Sequence, residues 1–261
     1  EVLGKQQDLL ANNPTLIDPH PYGIDGEAVA YTYDADADGT IETGDQAWLY
    51  VGMRRGGKSY YAFDASNPAA APTLKWKISK GGNFAELGMT FSTPRVTTVK
   101  YDGSPVTVLI FAGGYDGGWS GGSRIGKDLG WGDSSEGNAI YIVNADTGAL
   151  IWKAVLGSGF ASDSVYQNPE LVDAIPSPLA LLDSDGNGVT DRAYVGDTGG
   201  SLWRINLPEG TAVNHRSANW NITKLADFGA DTANDDRRFF HAPDLVKTRD
   251  SAGEYHGVII S

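Results

Sequence analysis

Two stretches of this 261-residue chain place oxygen-bearing side chains at alternate positions. One is Asp183, Asp185, Asn187 and Asp191, with Gly186 and Gly188 between them. A hard cation such as calcium takes about six to eight oxygen ligands, which a tight loop supplies from alternate side chains plus a backbone carbonyl. Glycine lets the backbone turn sharply enough to aim them inward. The candidate ligands are the side chains of Asp183, Asp185, Asn187 and Asp191 and the backbone oxygen of Val189. The other stretch is DADADGTIETGD, Asp34 to Asp45, which fits a twelve-residue calcium loop. Asp34, Asp36 and Asp38 fill its first, third and fifth places, and Gly39 makes the turn. Thr40 offers a carbonyl, Glu42 stands ninth, and Asp45 stands twelfth, where the longer Glu is usual. A solvated Asx turn would use the same residue types. Four spaced acceptors between apolar strands favour the cation, so Ca2+ is expected at 183–191 and a second Ca2+ at 34–45.

The flanks of both loops must position these oxygens, and they read as strands. AVAYTY and AWLYVGM bracket the first loop, so its chemistry sits on a β-hairpin rather than between helices. RAYVG and SLWRINL follow the other. The same grammar recurs along the chain: short apolar strands, a turn, and a Trp-bearing strand, as in LKWKI, IYIVNADTGALIWKA and SLWRINL. The expected fold is all-β, a β-propeller of four-stranded antiparallel blades that is incomplete in this chain. Three blades span about 25–80, 90–156 and 175–228, and part of a fourth spans 237–261. The last unit stops after two strands, which predicts an open edge. Residues 1–24 read as a connector, with a short helix over Lys5 to Asn12 broken by the prolines that follow. No signal peptide is visible and the first residue reads as mid-protein, so a leader is expected either to have been removed or to lie outside the sequence.

Composition excludes several functions. A net charge of −13 disfavours nucleic acid and anionic membrane as partners, and no run is long enough to span a bilayer. The four histidines are scattered without metal spacing, and there is no Cys nucleophile and no Gly-x-Ser-x-Gly elbow. The carboxylates cluster with calcium spacing rather than as a facing acid–base pair. A non-enzymatic protein is therefore expected. The basic turn Arg54-Arg55-Gly56-Gly57-Lys58 lacks the following helix that a phosphate cradle would use, so it reads as a hairpin turn whose arginines pair with nearby carboxylates. A long Gly-rich insert, Gly113 to Gly137, carries Tyr115, Trp119 and Trp131. These aromatics either form a contact loop for a sugar or a protein, or fold back to cover their blade.

Four segments together resemble one family: GMRRGGKSYYAFDAS (Gly52 to Ser66), FAGGYD (Phe111 to Asp116), NAIYIVNADTGALIW (Asn138 to Trp152) and DSDGNGVTDRAYVGDTGGSLWRINL (Asp183 to Leu207). They are similar to the C-terminal propeller of the PilC/PilY-type type IV pilus-tip proteins, in the family's order from about Asp25 onward. The resemblance implies an adhesin and pilus-biogenesis factor at the pilus tip or outer surface of a Gram-negative bacterium, exported through the periplasm. It implies pilins or minor pilins and host or surface receptors as partners, with a glycan among the candidates. It also implies calcium at the loop matching Asp183 to Asp191, tuning pilus extension against retraction and hence twitching motility. The family's fifth-place Asp is Asn187 here, one charge fewer. The 34–45 loop and the Gly/Trp insert are not carried by the resemblance. A second family shares part of the pattern: the Asn-Ala-x-Thr-Gly-x-x-x-Trp signature of Asn144 to Trp152 resembles quinoprotein dehydrogenase propellers, which also use calcium but need a closed ring. A non-catalytic protein- or carbohydrate-binding scaffold is the remaining alternative.

Overall fold

The computed structural model describes residues 22–120, 122–209, 219–251 and 253–261. Most of the expected connector, with its helix over Lys5 to Asn12, lies outside the described residues. The first sheet is an antiparallel meander of β1 (Ala28–Tyr33), β2 (Gln46–Gly52), β3 (Ser59–Asp64) and β4 (Thr73–Ser79). The second begins with β5 (Arg95–Tyr101) and β6 (Ser104–Ala112). A two-stranded ribbon of β7 (Trp119–Ser120) and β8 (Ser123–Arg124) lies within the insert. The sheet continues with β9 (Ala139–Asn144), β10 (Leu150–Leu156), β11 (Gly159–Ser162) and β12 (Val165–Asn168). The third sheet is β13 (Ala180–Leu182), β14 (Arg192–Gly196), β15 (Ser201–Asn206) and β16 (Asn221–Asp227). A two-stranded fourth sheet joins β17 (Asp244–Asp250) to β18 (Gly253–Ile259).

The second sheet departs from the expected four strands. It has six, in the order β11-β12-β10-β9-β6-β5, and β12 pairs with β10 in parallel. The chain leaves β10, turns back through β11, and lays β12 along the outer edge. That edge is thereby paired rather than left as free N–H and C=O groups.

The strands of the second sheet are covered on both faces, which is why VLIFA and AIYIV are continuous apolar runs rather than alternating ones. Successive side chains of a strand point to opposite faces. Leu109, Phe111, Tyr141 and Val143 enter a core shared with Tyr50, Tyr60 and Ile78 of the first sheet. Their neighbours Val108, Ile110, Ile140 and Ile142 enter a second core with Val195, Trp203 and Ile205 of the third. Each fully buried side chain of this size contributes about 1.5–3 kcal/mol of transfer free energy.

Polar contacts then fix the order of the sheets. At the outer rim, Trp76 of β4 lies over the Gly148 turn of the second sheet, and its indole N–H donates to the Ala145 carbonyl at 3.1 Å. The Tyr50 hydroxyl donates to the same carbonyl at 3.1 Å. Near the first strands a relay runs from sheet to sheet. Tyr60 donates to the Ser92 carbonyl (2.6 Å), Ser92 Oγ to the Ser177 carbonyl (2.9 Å), and Ser177 Oγ to the His241 carbonyl (2.7 Å). Ser92, Ser177 and His241 each stand three residues before the first strand of their sheet.

Candidate metal centres at two hairpin tips

Both acidic loops join the first and second strands of their sheets: 34–45 links β1 to β2, and 183–191 links β13 to β14. In the second sheet the same connection is a tight turn through Asp102 and Gly103. The long acidic tips thus occupy equivalent places in the first and third sheets.

In the first tip, Asp34 Oδ1 accepts the Ala37 amide and Oδ2 the Gly39 amide, both at 2.7 Å. Asp38 accepts the Thr40 amide at 2.7 Å. Ala37 and Gly39 have φ of 60° and 86°, a conformation that glycine enters without penalty and alanine does not. Asp34, Asp36 and Asp38 offer carboxylate oxygens within 4.8 Å of one another. Amide donation, first from Gly39, holds the Asp34 carboxyl below the usual carboxylate range. Glu42 is exposed. Asp45 is buried, and both its oxygens accept loop amides, from Ala35 and Glu42 at 2.9 Å each. The twelfth-place carboxylate thus closes the loop from inside.

The second tip repeats the scheme. Asp183 Oδ1 accepts Gly186 at 2.7 Å, and Oδ2 accepts Gly188 at 2.7 Å. Asn187 Oδ1 accepts the Val189 amide at 2.8 Å, as Asp38 accepts that of Thr40. Amide donation, first from Gly188, likewise lowers the Asp183 pKa. Asp191 takes the part that Asp45 plays in the first tip: it accepts the second-place amide, Ser184 N, at 3.2 Å, and the Ser184 hydroxyl donates to its other oxygen. Among the described residues, the Asp34, Asp36 and Asp38 trio alone brings three acidic side chains within 4.8 Å. In the 183–191 tip an amide stands fifth, and Asp191 is turned toward Ser184.

Sequence spacing missed the neighbours of this second tip, because they are distant in the chain. Glu209, just after β15, accepts from Asn187 Nδ2 at 2.5 Å and pairs with Lys100 of β5 at 3.3 Å. Asn187 donation is the leading cause of its lowered pKa. Thr190 donates its amide to the Thr98 carbonyl at 2.8 Å, and its hydroxyl lies 2.6 Å from that of Thr97. The tip is thereby tied to the first strand of the preceding sheet. The side chains brought together at both tips offer oxygens without thiolate or imidazole, a donor set that suits a hard cation.

The insert folds back as a compact loop. Tyr115 is buried between Phe91 and Phe240, with ring centroids at 5.5 and 5.8 Å, and its hydroxyl donates to Asp128 at 2.7 Å. It is a packing residue and not part of an open contact surface. Trp119 and Trp131 keep 43% and 44% of their surface accessible, so they do not close the sheet face. Lys127 is buried and forms an ion pair with Asp173. Arg238 donates to the Lys127 and Gly130 carbonyls at 2.6 and 2.9 Å. Glycine is needed at the base of the insert, since a Cβ on Gly113 would meet the Gly137 carbonyl oxygen at 2.4 Å.

A profile of the PilY1 beta-propeller domain matches residues 5–260. The chain belongs to the PilY1 β-propeller family. It is 29% identical over 191 residues to a type IV pilus biogenesis factor PilY1 homolog of Xylella fastidiosa, covering 72% of this chain and 11% of the relative. It is 27% identical over 191 residues to the type IV pilus biogenesis factor PilY1 of Pseudomonas aeruginosa PAO1, covering 73% of this chain and 13% of that protein. The chain therefore spans a small part of these relatives. The crystal structure of the Pseudomonas aeruginosa PilY1 C-terminal domain shares the fold, with a TM-score of 0.61 at 21% identity over 91% of this chain and 44% of that one.

Within this PilY1-type propeller the resembling segments have distinct structural work. GMRRGGKSYYAFDAS forms the β2–β3 turn and strand, FAGGYD the base of the insert, and NAIYIVNADTGALIW the clasp that receives Trp76. The last segment makes the second tip and the hairpin behind it. There Asp197 is buried, accepts the Gly199 and Ser201 amides at 2.9 and 2.8 Å, and accepts Trp203 Nε1 at 2.7 Å. Among the described residues no helix is long and apolar enough to cross a membrane.

Proposed function

We propose that this domain is a calcium-binding, non-catalytic propeller of a type IV pilus biogenesis factor, acting at the pilus tip or outer surface. Calcium occupancy would bias pilus extension against retraction, and through it twitching motility and surface attachment, with pilins or minor pilins and surface receptors as partners. The observation that supports it is the repeated hydrogen-bond scheme of the two tips, in which backbone amides orient the first-place carboxylate and leave alternate oxygens for a hard cation. Asp34, Asp36, Asp38, Glu42, Asp45 and the Thr40 carbonyl would hold one ion. Asp183, Asp185, Asn187, Asp191 and the Val189 carbonyl would hold the other. Bound calcium would offset the mutual repulsion of the carboxylates.

Calorimetric titration with calcium, followed by melting in calcium and in chelator, tests this. The expected result is saturable binding and a higher Tm in calcium, a gain reduced by Asp183→Ala and by Asp34→Ala. In the full-length protein, Asp183→Ala should change twitching zones in a complemented deletion strain. Superimposable melting curves in calcium and chelator would refute the proposal.

The exposure of Trp119 and Trp131 favours a second role for the insert, as a contact surface for a glycan or receptor protein. Glycan arrays with Trp119→Ala and Trp131→Ala should show weakened binding. Equal binding by wild type and variants would remove the insert from attachment.

A further inference from the structure

We propose that the cavity where the four sheets converge is a binding site for a small organic carboxylate with an apolar body, with Arg54 as its anion-recognising group. The cavity has a volume of about 570 Å³. It is lined by segments that immediately precede the first strand of each sheet, among them Glu27, Phe91, Pro94, Pro176 and His241, and by Arg54 from the β2–β3 turn. Its walls set the rings of Phe91, Phe240 and the prolines beside the polar side chains of Thr90, Ser92 and Thr93, and a cleft of this volume has the size of a small-molecule site.

The turn carries three cations, and two of them are neutralised. Arg55 holds Asp25 with two hydrogen bonds at 2.7 and 3.2 Å, and Lys58 pairs with the buried Glu136 at 2.5 Å. The Arg54 guanidinium forms no ion pair among the described residues; it lies over the Phe91 ring at 5.0 Å, on the cavity wall. Its backbone has φ of 52°, a left-handed conformation that costs an L-residue free energy. That conformation is held by the Thr90 hydroxyl, which accepts the Arg54 amide at 2.9 Å. The strained position is fixed by a neighbour and ends in a solvent-reachable guanidinium on the cavity wall, on which, among the described residues, only the longer-range field of Asp25 acts, so the cation is open to a ligand. The planar fork matches a carboxylate in two parallel hydrogen bonds, and the Phe91 ring holds it in plane. Phe240 and the prolines would receive the apolar body. Among the described lining residues Glu27 alone is a carboxylate, and it would oppose the anion. This site is separate from the cation tips and does not depend on them.

The test is ligand-observed NMR and calorimetry on the 261-residue chain in calcium buffer, using phenylacetate and indole-3-acetate beside their amides. The acids should bind saturably, and the amides roughly tenfold more weakly or not at all. Arg54→Gln should abolish the difference between acid and amide, and Arg54→Lys should weaken the acids while keeping their preference. Glu27→Gln should tighten acid binding. Melting curves confirm that each variant is folded. The proposal is overturned if acid and amide bind alike, if folded Arg54→Gln binds as wild type does, or if no acid binds at about 10 mM.

Discussion

Burial acts most directly on Asp197. Removal from water pushes its carboxyl up to about 6, against the lowering effect of the Trp203, Ser201 and Gly199 donors. The unfolded chain would titrate this group near the ordinary value of about 3.9. Between those values the native state binds more protons than the unfolded one. Its contribution therefore favours folding below about pH 4 and is progressively lost as pH rises toward 6. Asp197→Asn removes that titration. Relative to the variant, wild-type unfolding free energy measured in urea should fall by up to about 3 kcal/mol from pH 4 to pH 7, on the scale of 1.36 kcal/mol per unit. Parallel pH profiles would contradict the assignment. At this scale the sequence was informative where the side chains are close in the chain: the carboxylate oxygens of Asp34, Asp36 and Asp38 lie within 4.8 Å of one another. It was silent on Glu209, which reaches the second tip only through the return of the chain along β15. It also could not tell the buried Tyr115 from the open Trp119 and Trp131, since an insert has no strand period to sort inside from outside.

Contacts between sheets depend on a few element-level devices. The Gly148 turn has φ of 70°, and an added Cβ would lie 2.8 Å from the Trp76 ring. Gly148→Ala should therefore destabilise by about 1–2 kcal/mol from the backbone alone, with the ring clash in addition, read as a lowered Tm. The insert is fixed by the ion pair of Lys127 with Asp173, whose carboxyl is pushed up by desolvation. Removing one partner of a buried pair strands the other charge. Lys127→Met should cost about 3–5 kcal/mol in denaturant unfolding, and adding Asp173→Leu should recover part of that loss. Strand placement was legible to within a few residues wherever apolar and polar residues alternate or an apolar run meets a turn. The added β11–β12 hairpin was not, because GFASDSVYQN has a weak alternation. Its parallel pairing with β10 is set by the open outer edge of that sheet and not by its own residues.

For the molecule as a whole, the net charge of −13 is concentrated in part at the tips of the first and third sheets. Like charges held together oppose compaction unless a cation or salt screens them. Adding NaCl in chelator should raise Tm, and with calcium filling the tips as proposed, the same addition in saturating calcium should raise it less. Equal salt responses in both buffers would locate the repulsion elsewhere. The repeat that defines the propeller was readable from the Trp-bearing strands and their turns. The coupling between repeats was not, since it depends on backbone carbonyls that carry no sequence signal.

That coupling has a consequence for how such chains grow. In Ser177 one residue accepts from the sheet before it through its carbonyl and donates to the sheet after it through its hydroxyl. The second and third units, through Ser92 and Ser177, thus carry both plug and socket. A gene segment copied in tandem would arrive with its joint already made, and no matching surface would have to be invented elsewhere.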